Sequence, residues 1–167
     1  FIATDGSLAD TEMVAVTVNN INRAPVLAAI GPRSVNEGTA LNVAVSATDP
    51  DANIPTLAAQ NVPTNASFTD NGNGTGSFVF NPDFSQAGVY NVLFITSDGS
   101  LADSELVAIT VNNTNRSPIL AAIGSKSVAE GANLNFGTSA SDPDLTPLTM
   151  TAVNVPVNAT YTDNGNG

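Results

Sequence analysis

The sequence predicts an all-β protein, built as a two-layer sandwich and written in tandem copies. Three observations carry that expectation. "ITSDGSLADSELVAITVNNTNRSPIL" at 95–120 restates "IATDGSLADTEMVAVTVNNINRAPVL" at 2–27, 93 positions apart, and self-similarity at a fixed spacing is the mark of a chain of like units. Apolar residues alternate with period two, not 3.6. The runs between them, "NEG", "TDPD", "NVPTN", "DNGNGTG", "NPDFSQAG" and "SDGSLAD", are dense in Gly, Pro, Asn and Asp, as turns are, and no stretch has the pattern of an amphipathic helix.

The repeat sets the organisation. Asp5 matches Asp98, Arg23 matches Arg116, "SVNEG" at 34–38 matches "SVAEG" at 127–131, "TDPD" at 48–51 matches "SDPD" at 141–144, and "TDNGNG" recurs at 69–74 and 162–167. The offset stays at 93 without a gap. One complete module is therefore expected at 23–115, preceded at 1–22 by the C-terminal strands of another and followed at 116–167 by the N-terminal part of a third. Because the chain opens inside the strand-like run Phe1 to Thr4, it reads as a piece of something longer.

Within the complete module the elements follow in order. "LNVAVSA" (41–47) puts Leu41, Val43, Val45 and Ala47 on one face and Asn42, Ala44 and Ser46 on the other, the signature of a half-buried strand. "FTDNGNGTGSF" (68–78) reads as a hairpin turned over Asn-Gly pairs. "VYNVLFIT" (89–96) is apolar on both faces, as a central strand is. "VAITV" (107–111) alternates again, with Val107, Ile109 and Val111 inward. About seven short strands with turn signals every 8 to 12 residues read as an immunoglobulin-like β-sandwich.

Composition removes whole classes of function. The 167 residues are 42% hydrophobic but only 5% aromatic, so the core is expected to consist of Val, Ile, Leu and Ala. Fifteen acidic residues against four basic ones give a net charge of -11, which argues against nucleic acid and anionic membrane surfaces, since both need a basic footprint. No apolar run approaches the roughly 20 residues of a membrane span, so no membrane insertion by these residues is expected. There is no Cys and no His. Disulfides, thiolate metal sites and the usual nucleophile constellations are thereby excluded, and a two-carboxylate glycosidase is the one catalytic route left. Acidic residues that recur once per module in turns suit a structural unit better, and no enzyme is expected.

"FITSDGSLADSELVAITVNNTNRSPIL", with "EG" near the module start and "TDPD" after its second strand, resembles the cadherin-like repeats of bacterial surface proteins, in particular the dystroglycan-type cadherin-like and immunoglobulin-like domains. The resemblance covers the whole chain. It implies a seven-strand Greek key, modules joined end to end, and calcium at each junction. Carried over, the ligands between the complete module and the third would be Glu37, Asp83, Asn112, Asn115, Asp142 and Asp144. The preceding junction would use Asn19, Asn22, Asp49, Asp51 and Asp98. The sequence departs from the cadherin linker, Asp-x-Asn-Asp-Asn-x-Pro, because "NNTNRSP" at 112–118 has Asn for both aspartates and Arg116 near an expected carbonyl ligand. Ser85 in "PDFS" stands where the family has a glutamate. Fewer charged ligands imply fewer ions.

The residues can be weighed without the family. Asp49 and Asp51 flank Pro50, and if Asp98 joins them at about 5 Å, each pair of charges repels by roughly 3 kcal/mol at an effective dielectric near 20. A hard cation seeking six to eight oxygens would offset that. An Asp-Pro-Asp turn with solvated carboxylates is the other reading of the same residues, and the sequence leaves both open. "DNGNGTG" is not an EF-hand loop, because Gly72 occupies the third position. The Asn-X-Ser/Thr sites at Asn65, Asn73, Asn112, Asn115 and Asn158 are read as turns, not glycosylation acceptors. Tyr90, Tyr161, Phe68 and Phe84 could offer a sugar-stacking platform, although most sit in strand-like alternation.

Three function classes follow in order: a calcium-stiffened structural or adhesive rod at the cell surface, a spacer or carbohydrate-binding module of a secreted hydrolase, and an enzyme. The expected partners are adjacent repeats, and beyond them a cell-surface protein or glycan. The expected location is extracellular.

Overall fold

The computed structural model describes residues 1–167 and contains strands and turns without helix. β1 (Ile2–Thr4) and β2 (Ala9–Thr11) form an isolated hairpin. Eight strands then build the complete module: β3 (Val26–Leu27), β4 (Arg33–Asn36), β5 (Leu41–Thr48), β6 (Thr56–Gln60), β7 (Ala66–Asp70), β8 (Thr75–Phe80), β9 (Gly88–Ser97) and β10 (Ala102–Asn112). The short strands β11 (Ile119–Leu120) and β12 (Ala140–Ser141) pair beyond it.

The module is a sandwich of two four-stranded sheets, ordered β3-β5-β8-β7 and β4-β10-β9-β6. β5 pairs β8, and β6 pairs β9, so neighbours in space are not neighbours in sequence. That is the Greek-key wiring of immunoglobulin-like domains. The first edge is split between the sheets. β3 runs antiparallel to β5, and the chain then crosses so that β4 runs parallel to β10, with Ile109 opposite Arg33 and Asn112 opposite Asn36. At the crossing the backbone lacks a ladder partner, and β10 supplies one with carboxylates. Asp103 accepts from the Leu27 N–H at 2.9 Å, while Glu105 accepts from Ile30 and Gly31, each at 2.7 Å.

Period-two alternation places the core as expected. Val43, Val45 and Ala47 of β5 and Val107, Ile109 and Val111 of β10 face inward and are buried. The centre itself departs from the composition, because the few aromatics are concentrated there. Phe78 meets Phe94 edge to face at 5.5 Å and Phe80 at 6.5 Å, and Phe80 meets Tyr90 at 5.4 Å. β9 is central, between β10 and β6. Only its inner face is buried: Val92, Phe94 and Thr96 are enclosed, whereas Val89 is 62% exposed. A two-layer sandwich has no third layer to cover the outer side.

The β7–β8 hairpin forms as expected, with Asp70 opposite Gly76. Gly74 turns at φ +78° beneath β5, where an added Cβ would stand 2.9 Å from the Ala47 carbonyl. These connections place two sets of loops at opposite ends of the sandwich. One end holds residues 22–23, the β5–β6 loop and the β9–β10 turn; the other holds the β4–β5 turn, the β8–β9 loop and the linker after β10.

Candidate functional site

At the far end of the module Glu37 organises the exit of the chain. It is 3% exposed, yet its carboxylate is fully engaged: Oε1 accepts from the Ala87 N–H at 2.7 Å and Oε2 from the Thr114 N–H at 3.0 Å. Its own N–H donates to Asn112, and the Thr114 hydroxyl donates to its carbonyl at 3.1 Å. One buried side chain thus ties the β4–β5 turn, the β8–β9 loop and the linker together. Asp83 closes the β8–β9 loop on itself, accepting from the hydroxyl and N–H of Ser85 at 2.6 and 2.9 Å and from Asn65 at 3.1 Å. Those bonds, the Ser85 hydroxyl first, hold its carboxyl below the usual aspartate value. Asn112 donates to the Asn36 side chain at 3.1 Å, and Asn115 is exposed.

The near end is held by its linker. Asp98 accepts from the N–H groups of Leu101 and Ser100, each at 2.7 Å, and from Asn22 at 2.9 Å, which lowers its pKa. Asp51 is taken by Arg23. Nε and Nη2 of the guanidinium approach Oδ1 at 3.0 and 2.8 Å, and the Arg23 N–H approaches Oδ2 at 2.7 Å. The arginine side chain is the leading cause of that carboxyl's lowered pKa. Asp49 accepts from the Asp51 N–H at 2.7 Å through Oδ1, while its Oδ2 is buried without a hydrogen-bond partner.

The same constellation recurs in the following module. Asp144 accepts from Arg116 through Nε at 2.8 Å and through the backbone N–H, and the backbone bond leads in lowering its pKa. Asp142 accepts from the Asp144 N–H at 2.8 Å.

As arranged, these residues do not fit the calcium cage the family resemblance implies. Calcium takes six to eight oxygens converging on one point. Both oxygens of Glu37, Asp51 and Asp144 are already turned toward N–H donors, an arginine fills the place beside each Asp-Pro-Asp turn, and no three acidic side chains converge on one point. Glu37, Asp83, Asn112 and Asn115 lie at the far end of the complete module, with Asp142 and Asp144 beyond the linker. Asp49, Asp51 and Asp98 lie at the near end. The nine are thus divided between two junctions; eight of them hydrogen-bond within the chain, and Asn115 is exposed.

The sugar-stacking platform is not assembled. Phe68 packs on Phe94 at 5.8 Å, Tyr90 packs on Phe80 and donates to the Gln86 carbonyl at 3.0 Å, and Tyr161 stands 3.4 Å from the Thr138 hydroxyl. Phe84 alone is well exposed, and it carries Arg116 on its ring. An open apolar cleft of about 460 Å³ lies among Leu120, Ile123, Phe136, Leu148, Met150 and Tyr161. Their counterparts 93 positions earlier, Leu27, Ile30, Val43, Pro55, Leu57 and Phe68, belong to the sandwich interior or its edge. The cleft lining thus corresponds to the apolar interior of the complete module.

In the sequence Arg116 stands out as the repeat match of Arg23 and as a departure from the cadherin linker, with no role attached. The signal that could have found its role was the second copy: Arg23 and Arg116 each precede an aspartate by 28 residues.

A family model described as a bacterial Ig domain matches residues 22–110. The chain belongs to the bacterial Ig domain family. The Ig-like half of the expected resemblance is what this match carries. Among curated proteins, chitinase A of Pseudoalteromonas piscicida is 28% identical over 145 residues, covering 85% of this chain and 17% of that protein. Among solved structures, an endo-fucoidan hydrolase of glycoside hydrolase family 107 is similar at a TM-score of 0.46 and 19% identity, over 67% of this chain and 18% of that one. Titin domain M7 is similar at 0.42 and 14%, over 56% of this chain and 99% of that domain. The Ig chain therefore spans less than a fifth of the chitinase it matches.

Proposed function

We propose that the chain is a non-catalytic run of Ig modules that spaces the parts of a secreted bacterial polysaccharide hydrolase and works outside the cell. The observation that carries this is the exit of the complete module, where Glu37 is buried to hold the first residues of the next linker. Such an end is built for joining to a further module. The match to a chitinase supports the class of parent protein, and at 145 residues it exceeds one 93-residue repeat. The acidic side chains support a structural role, since most are occupied by backbone N–H groups or arginine. The partners on this reading are neighbouring copies of the module, with no metal required.

A calcium-stiffened adhesive rod is the second reading. One observation favours it: Asp49 Oδ2, buried without a hydrogen-bond partner at the near end. Two measurements on the same sample separate the alternatives. Titration calorimetry with calcium is expected to show no saturable heat, and migration through gels containing chitin derivatives or fucoidan is expected to be unretarded. Saturable calcium binding would favour the rod, and retardation would make the module a carbohydrate-binding one.

A further inference from the structure

Arg23 and Arg116 make the same bonds to their own modules. Each gives Nε and its backbone N–H to an aspartate and Nη2 to the carbonyl of the proline before that aspartate. Asp51 and Asp144 are equally enclosed, with 5% of each side chain exposed. The arginines themselves differ. Arg23 is 59% exposed and Arg116 33%. What separates them is Phe84, in the β8–β9 loop of the preceding module: the Arg116 guanidinium carbon lies 4.8 Å from the centre of its ring. Residues 1–22 contain no counterpart of that loop, and no aromatic ring lies against Arg23 in the structure.

The ring is held in place. It covers Gly38, where φ is +71° and an added Cβ would stand 2.8 Å from Phe84 Cζ. The Gly38 N–H also donates to the Pro82 carbonyl at 2.8 Å, which fixes the start of the same loop. A side chain at 38 would lift the phenylalanine off the turn.

We propose that Arg116 is the resident cation of the inter-module junction. It neutralises Asp144 of the following module and docks on Phe84 of the preceding one, so the surface over Gly38 and Phe84 is an interaction surface whose partner is the arginine-bearing start of the next Ig module. A guanidinium is suited to both contacts, being planar, weakly hydrated and able to stack while its edge donates to a carboxylate. The contact is head to tail, and copied along a tandem array it would set the same angle at every junction. It does the work the family resemblance assigns to calcium, with a side chain in place of the ion. It stands independently of which protein carries the modules.

The test is arginine side-chain NMR on the full chain. The ring current of Phe84 is expected to move the Arg116 δ-methylene signals upfield of those of Arg23. Phe84→Leu is expected to erase that difference while the signals of the buried Phe78 and Phe94 stay in place, since Phe84 is 42% exposed and outside the core. Millimolar calcium added to chelated protein is expected to move neither arginine. Equal shifts for the two arginines, or an Arg116 signal indifferent to Phe84→Leu, would overturn the proposal. So would calcium that saturably displaces the Arg116 signal and shifts Asp142 and Asp144.

Discussion

Asp98 accepts backbone N–H groups from Ser100 and Leu101, and Asp5, its counterpart 93 positions earlier, accepts from Ser7 and Leu8, each at 2.8 Å. Asp70 accepts from Leu57 and Gly72, and Asp163 repeats both bonds with Met150 and Gly165. A short carboxylate makes its turn from N–H groups two or three residues away wherever the sequence recurs, even where little sandwich surrounds it, and Asp70 and Asp163 each add one bond to a residue 13 positions earlier. These bonds hold the carboxyls of Asp5, Asp70, Asp98 and Asp163 below the ordinary 3.8. A carboxyl with a lower pKa folded than unfolded contributes stability that is present above the unfolded value and lost as pH falls through the folded one. Melting temperature, followed by circular dichroism, is therefore expected to be level through neutral pH and to drop as the pH falls below about 4.

Glu37 belongs to the same scale but is buried. Glu37→Ala would orphan the N–H groups of Ala87 and Thr114 and is expected to cost about 3 kcal/mol in urea unfolding of the full chain. Glu37→Gln keeps one acceptor and is expected to lose less. Through the family resemblance the sequence pointed to Glu37 and to the aspartates of the Asp-Pro-Asp turns as calcium ligands; in the structure their carboxylates meet N–H groups and arginine. An aspartate offers the same oxygens to a cation as to an N–H. Which one it meets depends on an arginine 28 residues away that only the fold brings near.

At the scale of the element, identical patterns end differently. Val107, Ile109 and Val111 of β10 are 1, 0 and 3% exposed, whereas Val14, Val16 and Val18, their counterparts, are 51, 83 and 90% exposed and form no strand. The alternation that made β5, β9 and β10 legible records a capacity, and the ladder that realises it comes from neighbouring strands. The split first edge was less legible, because β4 runs parallel to β10 through a pairing that nothing local announces. Phe78→Ala, at the aromatic centre, is expected to cost about 3 to 5 kcal/mol. Leu106→Ala, on the outer face beside buried Val107, is expected to stay within about 0.5 kcal/mol. Gly74→Ala would press a Cβ toward the Ala47 carbonyl at a left-handed φ, and a loss of about 1 to 3 kcal/mol is expected. The same denaturation curves check all three.

At the scale of the whole molecule, the offset of 93 and the period of two sufficed to show a tandem β-sandwich, because both are properties of the string of residues. The junction was not legible in that way, since its parts come from the β8–β9 loop, the linker and the next module's Asp-Pro-Asp turn. On the proposed reading one complete Ig module is joined to the next by the chain's own side chains. Residue-resolved hydrogen exchange on the full chain, with calcium and with chelator, tests it most directly. Slow amides are predicted in β5, β8, β9 and β10 and fast ones at 12–22 and 145–160. The amides at 37–39, 98–101, 114–116 and 142–146 are predicted to exchange alike in both solutions. Amides slowed by calcium in those four segments would show a metal-joined junction instead.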